Sequence, residues 1–550
     1  ENKDLFTEVK PLHIYIAKGI YKPMYSPEDG NFTTIPDDLR DKAFLMVENV
    51  ELYGGFSGKE TNLAQRDFKN NETILSGDLI GNDNNDIDVI DFVSDETRKD
   101  NVYHVVVAAN TTAVKTVLNG VKIKDGNANN HSYINVNGVI VMRNRGGGVF
   151  SSSTSSSSEV NLINSSVKRN SATTEGYTKG GGIYSLSNLS SIVNLVNSSV
   201  KENSVGALSY YAEIPEGGGV YSSSLASNST VNLLNSSITG NSSFYRSHDT
   251  GSITSSSGSG IFSSSVLSSI NLVNSNLMDN KGLEAISFTL RIDYKYKLSA
   301  YNSVIYGNPY SFWLGDGRED KDYKNSLIQG YTQDDKGNLK DENLDVTTLF
   351  TDYANGDYTL LPNSLLVDAG NNALYTGKVG EKTLDLNNDK DLAGEKRLFG
   401  DRIDIGAYES QPFDPTTIWE NDVWSNGVPT SAKDAILRAS YPHDLIANTI
   451  TFEADVTVPS GTTYKVMQNV VNASHQVVFE HGAYLVQYAE NVPNVGNISF
   501  KRQSEPIYRL ETLDWSSPVT GQNVLALSPK TFQNRFYRFD ETTNNWIANI

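Results

Sequence analysis

Four oxygen-bearing side chains, Asp385, Asn387, Asp389 and Asp391, stand at alternating positions in the run DLNNDKD. Oxygens so spaced in a tight loop can wrap a hard cation, and bound Ca2+ is the one cofactor the sequence points to. Two positions depart from an EF-hand loop: Lys390 stands where the turn needs glycine, and Lys396 where the bidentate glutamate belongs. The competing reading is an exposed acidic turn. A second acidic run, Asp78 to Asp91 with Asp83, Asp86 and Asp88, reads by default as a solvated charged loop.

Aromatic side chains supply the other chemistry. Tyr177 in one repeat, Tyr210 and Tyr211 in the next, and Phe244 and Tyr245 with Arg246, His248 and Asp249 in a third lie in segments of variable length. Sugars stack their apolar faces on aromatic rings beside hydrogen-bonding groups, so these five aromatics are the candidate ligand-binding residues. The chain holds 29 tyrosines, so some loop aromatics are expected simply to pack on the coil below.

What positions these groups is a repeat. It reads VNLINSSVKRN from Val160, VNLVNSSVKEN from Val193, VNLLNSSITGN from Val231 and INLVNSNLMDN from Ile270, with degraded copies at Tyr301 and Lys324. Interleaved with it are GGGVF at Gly146, GGGIY at Gly180, GGGVY at Gly217 and GSGIF at Gly258. Val160 to Val193 is 33 residues, Val193 to Val231 is 38 and Val231 to Ile270 is 39. Period-2 alternation puts Val160 and Leu162 on one face and Asn161 and Ile163 on the other, which is strand and not helix patterning. Short strands stacked at that period give an all-β, right-handed parallel β-helix with aliphatic rows inside.

The same phasing makes further predictions. Asn164, Asn197, Asn235, Asn274, Asn302 and Asn325 fall at one turn, where asparagine tolerates left-handed geometry and can form an amide ladder. Asn170, Asn203, Asn241, Asn280 and Asn308 form a second ladder, and the glycine runs suit a corner where a side chain clashes or φ is positive. Ile163, Val196, Leu234 and Val273 make an outward apolar stripe, which either a loop of the same chain or a partner must cover.

Length and charge bound the rest. At 550 residues the chain exceeds one compact core, and its net charge of −20 argues against a nucleic-acid partner. No cysteine occurs, so disulfides and thiolate chemistry are excluded. No apolar run is long enough to span a bilayer, and no signal peptide is present at Glu1, so any targeting sequence is expected to have been removed.

The stretches LHIYIAKGIYKP, VENVELYGGFSGKETNLAQRDF, NETILSGDLIGND and VLNGVKIKDGNAN resemble the start of bacterial secreted parallel β-helix proteins. LVDAGNNALY and DLAGEKRLFGDRIDIGAYES resemble the closing segment of the same group, named for its choice-of-anchor domain and common among Bacteroidetes surface proteins. After residue 412 the composition changes, and NISFKRQ and LDWSSPVTGQNVLALSPKTFQNRFYRFD resemble the module before C-terminal sorting signals in flavobacterial type IX secretion substrates. The resemblance implies a β-helix over 1–412, closing over about 351–412, and a β-rich module over 413–550 that precedes an absent sorting domain. It also implies export by the type IX machinery to the outside or the outer-membrane surface of a Gram-negative bacterium.

An enzyme of this architecture should show its residues. None of the seven histidines lies in the Gly-His-Gly expected of a β-helical galacturonase, and the only Asp-Asp pairs, Asp37-Asp38 and Asp334-Asp335, lie outside the regular coils. Glycoside hydrolysis needs two carboxyls flanking one bond, and the coils from Gly146 to Asn280 offer few acids. The sequence therefore favours a non-catalytic adhesin or glycan-binding scaffold, with a polysaccharide lyase or glycoside hydrolase as the alternative and no catalytic residue to name.

Overall fold

The computed structural model describes residues 6–28, 35–208, 214–247, 252–289, 295–308, 319–331, 336–411, 416–431, 433–504, 506, 508, 511–514 and 522–548. The chain separates into two compact units, Glu1–Gln411 and Pro412–Ile550.

The first unit is a parallel β-helix. A long sheet of nine strands runs from Leu12–Ala17 and Val50–Phe56 through Val114–Asn119, Ser158–Ile163, Ser190–Val196, Asn228–Leu234 and Leu267–Val273 to Lys295–Tyr301 and Glu319–Lys324. A second sheet of nine shorter strands includes Val121–Lys124, Ser166–Lys168, Ser199–Lys201 and Ser237–Thr239, and a third of seven includes Val149–Ser153, Ile183–Ser187 and Val220–Ser224. Each repeat pairs in parallel with the next and in register, as in Val160↔Val193↔Val231↔Ile270. Those four residues and Leu162, Leu195, Leu233 and Leu272 are fully buried inside, at about 2 kcal/mol each for a buried Val or Leu.

Polar side chains inside the coil satisfy one another along its axis. In the second asparagine ladder the backbone N–H and Nδ2 of Asn170 both donate to Asn203 Oδ1 at 3.0 Å. Asn203 does the same to Asn241, Asn241 to Asn280, and Asn280 to Asn308. The serine of each Asn-Ser pair builds a column that the sequence reading missed: the N–H of Ser165 donates to Ser198 Oγ, Ser198 to Ser236, Ser236 to Ser275, and Ser275 to Ser303. A zigzag of buried hydroxyls, Ser151, Ser158, Ser185, Ser191, Ser222, Ser229 and Ser263, joins the long and third sheets at 2.7–3.0 Å. The ends of the serine-rich run 151–158 are thus core, and its middle, Thr154 and Ser155, is an exposed bend.

The glycine runs meet both expectations. Gly146, Gly180, Gly217 and Gly258 have φ between 63° and 75°, whereas a Cβ on Gly182 or Gly219 would lie 2.7 or 2.6 Å from the carbonyl oxygen of Gly219 or Gly260. The aromatic after each run stacks on its neighbour outside the third sheet, Phe150 on Tyr184, Tyr184 on Tyr221 and Tyr221 on Phe262, with centroids 5.1–5.4 Å apart.

Two segments lie against the coil surface. Residues 375–403 cover the outward apolar stripe: Val196 and Leu234 are buried, and Ile163 and Val273 pack beside them, against Tyr375, Val379, Leu384, Leu386, Leu398 and Ile403. The chain thus covers its own stripe. The acidic run is the second such segment: Asp86, Asp88 and Asp91 are exposed, as in the expected solvated loop, but Asp83 is not. Asp83 is buried against Arg98 (3.0 Å), whose Nη2 also donates to the carbonyls of Gly126 and Arg169. Phe92 lies between the guanidiniums of Arg98 and Arg169, and further along Asp91 and Asp88 pair with Arg246 and Lys281. Lengthwise, the run bonds to successive coils.

The second unit is itself a small solenoid, more regular than the β-rich module expected. Leu445–Ala447, Thr463–Val466 and Tyr484–Gln487 pair in parallel, as do Val456–Val458, Val477–Phe479 and Ser499–Phe500. A third parallel set runs from Thr416–Glu420 through Asp434–Leu437 and Ile450–Phe452 to Val470–Asn472. Alternate residues point inward, so Leu437, Ala447, Val458, Tyr464, Val466 and Phe479 are fully buried. An antiparallel hairpin, Tyr537–Asp540 with Asn545–Ala548, follows. No helix among the described residues is long and apolar enough to cross a membrane.

Candidate functional site

The strongest site lies on the outer face of the long sheet, where two in-register rows end at the first coils. One row runs His13, Glu51, Val117, Asn161, Asn194, Asn232, Asn271. The other runs Tyr15, Tyr53, Asn119, Ile163, Val196, Leu234, Val273, so the apolar stripe begins in two tyrosines. The covering segment stops at a tight hairpin, Lys378–Val379 with Lys382–Thr383. Between that hairpin and the tyrosines is a groove lined by Glu51, Tyr53, Lys115, Val117, Asn161, Asn194, Val379, Glu381 and Lys382.

The aromatic end is built as a platform. Tyr15 is 51% exposed and stacks on Phe56 at 4.9 Å, with Tyr53 edge-on at 6.0 Å. The Arg66 guanidinium lies 5.2 Å from the Tyr53 ring and 4.8 Å from that of Phe68, and donates to Asn119. Tyr53 Oη donates to Glu51 Oε2 at 2.7 Å, and burial together with that carboxylate pushes the phenol pKa up. His13 Nε2 is 3.4 Å from the same carboxylate oxygen. Lys115 pairs with Glu381 and lies 3.6 Å from Glu8. Its burial would lower the ammonium pKa, but these acids with Glu159 outweigh it and raise it.

The polar wall is an amide ladder with a direction. Asn271 Nδ2 donates to Asn232, Asn232 to Asn194, and Asn194 to Asn161, at 2.8–2.9 Å. Every Nδ2 thus faces the preceding coil, and there Val117 offers no acceptor. Asn161 Nδ2 ends the ladder as a buried donor without a partner. Leaving it unpaired costs about 1–3 kcal/mol. A ligand oxygen in the groove would satisfy it.

Of the five aromatics singled out in the variable segments, Tyr177, Phe244 and Tyr245 lie among the described residues. Phe244 is buried with its ring over Gly206, so it presents no face to a ligand. Tyr245 is half-buried in the strand Ser242–Arg246, and Arg246 of that strand is tied to the acidic run. Tyr177 is 50% exposed in a loop whose carbonyl accepts from Asn144 Nδ2. Tyr210, Tyr211, His248 and Asp249 lie outside the described residues, as do Asp334 and Asp335.

The oxygens of the DLNNDKD run meet donors and do not converge on one point. Asp389 accepts from Tyr375 Oη, the Asp385 N–H and Lys382 Nζ. Asp391 accepts from the N–H groups of Glu395 and Glu409, Asp385 from the Asn387 N–H and Asn388 Nδ2, and Asn387 is exposed. Among the described residues no three carboxylates, histidines or cysteines group as a metal site. This donor-filled arrangement does not fit a calcium ion. Its neighbour Arg397 shows what the segment does: the buried guanidinium donates to the carbonyls of Gly406 and Tyr408 and to Glu409. Glu409 also accepts from the N–H groups of Phe399 and Asp404, so the motif locks the closing segment shut.

Residues 415–550 match the model of a domain of unknown function (DUF8693). The match falls within the second unit, and its description carries no activity. No curated protein matches the chain. No solved structure matches it either.

Proposed function

We propose that the chain is an exported, surface-attached, non-catalytic scaffold that binds glycan in the groove on the long sheet, and that it is delivered by type IX secretion. The observation that carries the binding reading is the unpaired terminal amide of Asn161 in a groove that Tyr53 also lines, with exposed Tyr15 packed edge-on to Tyr53. An aromatic face beside fixed hydrogen-bonding groups is the arrangement that recognises a sugar. The export reading rests on the resemblance of the N-terminal, closing and C-terminal stretches to secreted β-helix proteins.

Hydrolysis needs two carboxyl groups free to act on opposite sides of one bond. In the groove Glu51 is engaged by Tyr53 and His13, and Glu381 by Lys115. Those partners support binding over catalysis. A glycan array with the full chain tests the proposal. Tyr15→Ala should weaken the bound glycans at least tenfold, the scale of a lost stacking contact of about 1.5 kcal/mol. Unchanged binding by Tyr15→Ala, or shortening of the bound glycan, would overturn it.

A further inference from the structure

The outer face of the second sheet carries an ordered set of charges that the groove does not use. Lys124, Lys168 and Lys201 are in register on three successive coils. Two residues earlier on each strand, and so on the same face, stand Lys122, Ser166 and Ser199 in register. All six are half-buried. The next coil replaces the lysine by buried Thr239 and the one after by buried Met278, which packs under the closing segment with Val304 and Leu327. The lysine column therefore occupies the part of this face that the closing segment leaves open.

Stacked ammonium groups at the coil repeat of about 4.8 Å repel one another unless anions lie between them. Three carboxylates are present: Glu72 pairs with Lys122, Asp125 with Lys124 at 2.8 Å, and Glu202 with Lys168 at 3.2 Å. Glu202 is also 3.9 Å from Arg169. Among the described residues no carboxylate pairs with Lys201. Burial first, and then Lys168, lower its ammonium pKa against the opposing pull of Glu202, and Lys122 adds to the lowering. In a chain of net charge −20 this is a local cationic strip short of counter-charge.

We infer that this strip binds a linear polyuronate, each sugar placing its carboxylate against one ammonium of the Lys124–Lys168–Lys201 column and a hydroxyl against Ser166 or Ser199. An extended polyuronate carries one carboxylate per sugar, so its charges recur along the chain as the ammonium groups recur along the coils. The Coulomb attraction is partly screened, because the ammonium ends reach solvent. The site does not depend on the groove, and the two can be tested apart.

The test is affinity electrophoresis and calorimetry of the full chain with polygalacturonate, a sulfated polysaccharide and dextran as probes, from low to physiological salt. The expected result is salt-sensitive binding of polygalacturonate that falls at least tenfold in Lys168→Gln/Lys201→Gln and is absent with dextran. Relieved repulsion offsets the loss of the partly exposed Lys168–Glu202 pair, so the double variant should melt close to the parent; Lys201→Gln alone gives a second variant and should lose several-fold. No binding of polygalacturonate at low salt, equal affinity in these variants, or binding of the sulfated polymer only would overturn the inference.

Discussion

At the scale of single residues, the fold is held by side chains that bond to their own copies one coil away. Asn203 is the clearest: its Oδ1 accepts twice from Asn170, and its Nδ2 donates to the carbonyls of Val167 and Lys201 and to Asn241. Asn203→Ala should therefore cost about 3 kcal/mol in denaturant unfolding, because it leaves a buried N–H and carbonyls without partners. Asp at this site would accept but not donate and should cost a similar amount. The buried Arg397–Glu409 pair makes a different prediction. Burial pushes Glu409 up to about 7, against an ordinary glutamate value near 4.5, despite the adjacent guanidinium. The folded state then binds the extra proton between those values, so this group's contribution to stability is largest at low pH and falls as pH rises through about 7. Asp83, raised to about 6, acts in the same direction, whereas His104, held neutral down to about 4, acts in the opposite one. Above pH 6.5 the Glu409 component remains. Unfolding free energy should drop by about 1 kcal/mol from pH 6.5 to 8, a slope that Glu409→Gln should abolish.

At the scale of elements, the closing segment is what turns a stack of open coils into a finished surface. It takes over the outer rungs of the first asparagine column. All six of its members adopt φ of 45–49°; Asn197 donates to Asn164 and Asn302 to Asn274 along the column, while later members also bond to the segment. Asn235 donates to Tyr375 Oη and the Lys390 carbonyl, Asn274 to the Asp404 carbonyl and Asn302 to the Asn371 carbonyl. Leu234 is fully buried in the cluster that the segment forms with the stripe. Leu234→Ala should destabilise by about 2–5 kcal/mol and speed amide exchange over 375–403 more than within the coils. Exchange raised equally in the coil interior would show instead that the segment and coils unfold as one unit. The strands and turns of these elements were legible because alternation and the Asn-Ser and glycine runs each encode local geometry. The cover was legible only as a need: an outward aliphatic row says that something must lie on it, and no local pattern names which distant residues do so.

At the scale of the whole molecule, the groove arises where rows of repeated residues are interrupted, and that is why the sequence pointed elsewhere. Of the five aromatics in the loops that vary between repeats, Phe244 is buried, Tyr177 is half-exposed, Tyr245 is half-buried, and Tyr210 and Tyr211 lie outside the described residues. Tyr15 and Tyr53 lie in the N-terminal stretch, outside the clear repeats, and their register with Ile163 and Val196 exists only once the coils stack. The one available signal was the asparagine of each VNL strand, whose outward phase is readable but whose ladder polarity is not. The second unit was harder for the same reason: its coils alternate correctly but share no motif that marks a period. The most direct test of the binding account is hydrogen–deuterium exchange of the full chain with and without a glycan that it retains. The account predicts protection concentrated in Leu12–Ala17, Val50–Phe56 and the hairpin at 378–383. Protection confined to the loop after Ser171–Thr174 and the strand Ser242–Arg246, with none at Tyr15, would contradict it.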